Sequence, residues 1–110
     1  MLNLLEYQTV EGTSPFSTWF NELNAEAAAK VTQALVRMGQ GNLSNVEPVG
    51  SGVSEYKINF GPGYRIYFGR DGNRLVILLL GGSKKRQQRD IEQAKSYWSD
   101  YKLRRRGSVQ

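Results

Sequence analysis

Glu55-Tyr-Lys-Ile-Asn-Phe-Gly-Pro-Gly-Tyr-Arg-Ile-Tyr-Phe68 is the stretch on which the fold turns. On either side of Gly61-Pro62-Gly63, apolar and polar residues alternate with the period of two that half-buried strands require. Tyr56, Ile58 and Phe60 share one face with Tyr64, Ile66 and Phe68, and Glu55, Lys57, Asn59, Arg65 and Tyr67 share the other. The glycine-proline-glycine run supplies the turn. If the turn sets Phe60 opposite Tyr64, then Asn59 faces Arg65, Ile58 faces Ile66 and Lys57 faces Tyr67. Lys57, Asn59, Arg65 and Tyr67 gather on one face, where Arg65 offers a bidentate fork and Lys57 a point charge to a phosphodiester. An ordinary wet outer face of a half-exposed sheet fits the same pattern.

Further along, Asp71-Gly72 is a two-residue hairpin signal, and Leu75 to Leu80 is apolar at every position, as in a strand covered on both faces. Gly81-Gly82-Ser83 is expected to end that strand. From about Lys84 helical spacing resumes, with Ile91, Ala94, Trp98 and Tyr101 inward and Lys85, Arg86, Arg89 and Lys95 outward. Backbone amides at such a helix start make a phosphate site, with Lys84, Lys85, Arg86 and Arg89 around it. Cations there oppose the helix dipole, a cost that ligand binding would explain; common surface lysines and arginines beside a plain glycine turn are the other explanation.

Toward the N-terminus, Leu2 to Val10 reads as a first strand. Ser14-Pro15 opens a helix carrying Phe16, Trp19, Phe20 and Leu23, and Asn24 caps a second with Ala27, Val31, Ala34, Leu35 and Met38 inward, bracketed by Gly39 and Gly41. Residues 42–52 read as a polar loop. The fold class expected is α+β: a helical hairpin on a small, twisted, mainly antiparallel sheet of about four strands, with a C-terminal helix. Residues 1–103 make a single domain, and 104–110, beginning Arg104-Arg105-Arg106, a flexible basic tail.

Composition narrows the chemistry. The 110 residues suffice for one modest core. Neither cysteine nor histidine is present, which excludes disulfides, thiolate zinc sites and imidazole acid/base chemistry; no metal or organic cofactor is expected. The longest apolar run is about a third of a membrane span, and no signal segment opens the chain, so a soluble, cytoplasmic protein without a membrane partner is expected. The net charge of +5 is unevenly spread. Residues 1–55 hold two basic groups against six acidic ones, and residues 56–110 thirteen against four, so the halves carry −4 and +9. A field of that kind draws polyanions, RNA or DNA first.

With these residues in view, the chain resembles the RelE/HigB/ParE toxin superfamily, and most closely its phage-derived addiction-module killer proteins. The likeness rests on the Tyr-Lys-Ile strand at 56–58, the glycine turn, the Tyr-Arg-Ile-Tyr strand at 64–67, the Gly-Gly-Ser-Lys turn at 81–84 and the Asp-Ile-Glu-Gln-Ala helix at 90–94. It implies the toxin of a type II toxin-antitoxin system, with a cognate antitoxin, the ribosome and messenger RNA as partners. In the RelE and HigB branches it implies a metal-independent endoribonuclease, in which a ribose 2′-hydroxyl attacks the adjacent phosphate. Such a reaction needs a base, stabilisation of the phosphoryl oxygens and an acid for the leaving oxygen.

Carried over by position, the resemblance matches Lys57 and Arg65, with Arg65 clamping the transition state; Tyr67 and Lys85 complete the expected catalytic set, and Asn59, Lys84, Arg86 and Arg89 are the expected RNA-binding residues. The family's second strand lysine is replaced by Asn59, its helix tyrosine falls on Ile91, its post-strand arginine is met loosely by Lys85 or Arg86, and its histidines have no counterpart. Either Tyr67 or Lys85 takes the acid/base role, or the chain does not cleave RNA. A ParE-like gyrase inhibitor without nuclease chemistry, or a non-catalytic RNA-binding module, are the alternatives.

Overall fold

The computed structural model describes residues 1–108, with side chains through Arg105. Its elements run β1 (Asn3–Glu6), α1 (Pro15–Asn21), α2 (Ala25–Gly39), β2 (Val46–Gly50), β3 (Val53–Ile58), β4 (Tyr64–Asp71), β5 (Leu75–Ser83), a 3₁₀ turn (Lys84–Arg86) and α3 (Gln87–Ser108). The expected α+β class holds: one five-stranded sheet of order β1-β5-β4-β3-β2, antiparallel except where β1 runs parallel to β5. No helix of the described residues is long and apolar enough to cross a membrane.

Local chemistry sets the helix ends. The Ser14 hydroxyl accepts the Ser17 amide at 3.0 Å with Pro15 in the first turn, and the Asn24 side chain accepts the Ala27 amide at 2.9 Å. At the far end of α2, Gly41 takes a φ of +86°, and amides 41 and 42 return to the carbonyls of Met38 and Arg37, a Schellman ending that needs a left-handed residue.

The sheet is sandwiched. On one face Tyr56, Ile58, Ile66, Phe68, Val76 and Leu78 pack against Phe16, Val31, Ala34 and Met38 of α1 and α2. On the other, Val53, Tyr67, Ile77 and Leu79 meet Tyr7 and, from α3, Ala94 and Trp98. Thus β5, paired on both edges and covered on both faces, explains the unbroken apolar run.

Five expectations change. Residues 46–50, read as loop, form β2, an edge strand where Pro48 lacks an amide that a central strand would need. It joins β3 through Ser51-Gly52, both at positive φ (57° and 83°), as a tight two-residue hairpin demands. The β3–β4 register differs by two residues: Ile58 faces Tyr64, Lys57 faces Arg65 and Glu55 faces Tyr67. Phe60 cannot pair with Tyr64, because its carbonyl accepts the Gly63 amide and closes the turn itself. The β4–β5 connection takes three residues, 72–74, rather than two. Gly81 and Gly82 do not break β5 but lie within it. Finally, α3 continues past position 103: Arg104 pairs with Asp100 at 2.8 Å and reaches the Gln8 carbonyl, which binds the expected tail's first residue to the domain. Val109 and Gln110 of that tail lie outside the described residues.

Candidate functional site

A two-residue shift preserves which side chains share a face, so Lys57, Arg65 and Tyr67 do stand together, on the face covered by α3. The shift also brings in Glu55. Asn59 lies beyond the end of β3, exposed, and leaves the group.

The centre of this face is buried and charged. Arg65 is 8% exposed; its Nη1 donates to the Gly63 carbonyl at 2.7 Å and its Nε lies 3.6 Å from Glu55 Oε1 without a hydrogen bond. Glu55, 3% exposed, accepts Gln87 Nε2 on both carboxylate oxygens at 3.1 and 3.2 Å. Tyr67 is wholly buried, and its hydroxyl has no partner among the described residues. Burial, helped by the charges of Glu55 and Asp90, pushes the Tyr67 phenol upward, so it keeps its proton at neutral pH. A base is therefore not to be sought there. An ion pair at this depth costs desolvation that its attraction only partly offsets.

Asp90, 7% exposed in the first turn of α3, sits directly over Gly82, where any Cβ would overlap its carboxylate. Gly81 opens the opposite face to the Trp19 ring in the same way. The glycine pair thus admits one bulky group to each side of β5, a use that turn statistics could not reveal. Burial raises the Asp90 pKa, against the opposing charges of Arg86 and Arg89.

Around this floor stand the exposed cations. Lys57 pairs with Glu47 of β2, and the hydrogen bond from Lys57 holds the Glu47 carboxyl below its ordinary value. Lys84 is exposed beside the turn: a Cβ built on Gly63 would meet Arg65 Nη1 at 3.3 Å and Lys84 Cβ at 3.5 Å. Lys85, Arg86 and Arg89 are exposed on the 3₁₀ turn and the start of α3. Three elements, β3, β4 and the 3₁₀ turn, therefore bring Lys57, Arg65 and Lys84 to one end of the sheet. Arg65 and Tyr67, given catalytic roles from the sequence, lie beneath the surface that a ligand would touch. Glu55 and Gln87 join the site without any motif to mark them in the sequence; the helix spacing of Gln87 gives no hint of its reach across to β3.

Residues 18–98 match the family described as phage-derived protein Gp49-like (DUF891). An uncharacterized protein of Haemophilus influenzae is 39% identical over 87 residues, which span 78% of this chain and 88% of that protein.

Proposed function

The chain belongs to the Gp49-like family of phage-derived proteins, and from that premise we propose that it is the toxin of a toxin-antitoxin pair, a ribosome-dependent endoribonuclease acting on messenger RNA. One observation carries the reading: three separate elements bring Lys57, Arg65 and Lys84 to one end of the sheet, beside the exposed Lys85, Arg86 and Arg89. Cations so placed stabilise charge that builds on phosphoryl oxygens, commonly the largest contribution an enzyme makes.

In the proposed reaction the ribose 2′-oxygen attacks the adjacent phosphorus and the bond to the 5′-oxygen breaks. A 2′,3′-cyclic phosphate and a 5′-hydroxyl result. Lys57 and Lys84 contact the phosphoryl oxygens, and Arg65, its charge partly offset by Glu55, supports them from below. Lys85 gives a proton to the leaving oxygen, while the 2′-hydroxyl proton passes to solvent. Asn59, Arg86 and Arg89 hold flanking nucleotides. The cognate antitoxin is acidic where it covers residues 57–89, by charge complementarity.

The burial of Arg65 and Tyr67 favours a second reading, in which the cationic surface binds without chemistry, as a gyrase inhibitor would. Induced expression without antitoxin, followed by mapping of message 5′ ends, separates the two. The nuclease reading predicts growth arrest with new 5′ ends inside coding regions; arrest with intact messages and damaged DNA would reject it in favour of gyrase.

A further inference from the structure

Residues 1–55 contain only two cations, Lys30 and Arg37, and both open onto the same cleft. They stand seven residues apart on α2, with Gln33 between them on that helix face. Opposite lie Lys57 and Asn59 at the end of β3, and Asn45, whose carbonyl accepts the Lys57 amide at 3.1 Å, forms the end wall. The cleft measures about 220 Å³, and no carboxylate of the described residues lines it although the acidic half of the chain supplies one wall. Lys30 Nζ is held 5.4 Å from the Phe60 ring centroid, at the rim.

We propose that this cleft binds a phosphate of the RNA chain, next along the backbone from the one held at Lys57 and Lys84. The inference rests on the RNA reading above. Lys30, Gln33 and Arg37 line the α2 wall with Asn45 and Asn59 at its border, and neither Lys30 nor Arg37 has a carboxylate beside it there among the described residues; the Lys57 ammonium is held by Glu47 on the other face of the sheet. A planar guanidinium and an ammonium group beside a small polar concavity suit a phosphate. Lys57 stands on the strand between the two sites with its ammonium on the α3 face, so a strand of RNA leaving that face would turn around the end of β3 and meet α2.

The test is the salt dependence of binding a short single-stranded RNA to the full chain, compared for the wild type, Lys30→Ala/Arg37→Ala and the control Arg70→Ala/Arg74→Ala. The control removes two cations at the other end of β4, Arg70 of the strand and Arg74 of the connection to β5. Loss of one phosphate contact should make the slope of log affinity against log salt shallower by roughly 0.7, with affinity reduced about tenfold, for the cleft variant alone. An unchanged slope, or an equal change in the control, overturns the proposal. Amide NMR shifts with inorganic phosphate keep the two ideas apart. If the wild type binds no RNA yet phosphate shifts Gln33, Asn45 and Asn59, the RNA reading fails and the anion site stands; if phosphate leaves those amides unmoved, the site fails as well.

Discussion

Along α3 a single sheet face is packed in two opposite ways. Beneath the helix's middle, Trp98 stacks on Tyr101 with ring centroids 5.3 Å apart and lies over Gly69, whose missing side chain makes room for the indole. Beneath its start lie the buried Glu55, Arg65 and Tyr67, met from the helix itself by the buried Asp90 and the half-buried Gln87, a cluster of charge and hydrogen-bonding groups. The difference teaches a division of labour. Apolar packing fixes the helix, and the fixed helix lets its other end hold charges together at a cost that no packing argument requires.

The contrast can be broken at several points. Trp98→Ala should cost about 3–5 kcal/mol in urea unfolding, since it removes the anchor and leaves a cavity; a loss below about 1 kcal/mol would mean that the helix is held elsewhere. Glu55→Ala should cost about 3 kcal/mol by stranding Arg65 without its counter-charge, and Glu55→Gln, which can still bond Gln87, should cost less. Equal losses for the two would show that charge is not what matters there. Gly69→Ala should cost about 2 kcal/mol, because the built Cβ comes 2.6 Å from the Trp98 ring and the ring cannot swing away; a stability like that of the wild type would show a looser helix.

The smallest effect sharpens the comparison through pH. Asp90 has a raised pKa in the folded chain, so the fold binds its proton more tightly than the unfolded state does and loses stability as pH rises through the shifted value. Asp90→Asn should therefore melt higher than wild type at neutral pH, with the gain fading as pH falls through the raised value and gone once pH is below the ordinary aspartate range. A gain that persists in acid would contradict this origin.

The apolar end was legible from the amino acids, and the charged end only in part. Ile91, Ala94, Trp98 and Tyr101 recur at helical spacing, and the β3 and β4 faces alternate, so both core layers and the shared face of Lys57, Arg65 and Tyr67 could be read directly. Period two fixes faces but not register, and register depended on whether Phe60 paired or turned. For β2, Pro48 and a broken alternation hid an edge strand whose signal was the Ser51-Gly52 turn. Burial of Arg65 could not be foreseen either, since it depends on Glu55 and on Gln87, 32 positions further along.

Whether the cations at this end of the sheet act on a ligand or merely decorate a fold is decided most directly by Lys57→Gln/Lys84→Gln. Both side chains point outward from the buried cluster, so the melting temperature should stay near that of wild type. Growth arrest on induced expression should meanwhile weaken by at least about 10², the effect expected when charge stabilisation of a reacting phosphate is removed. Full toxicity in a folded double variant would contradict the account.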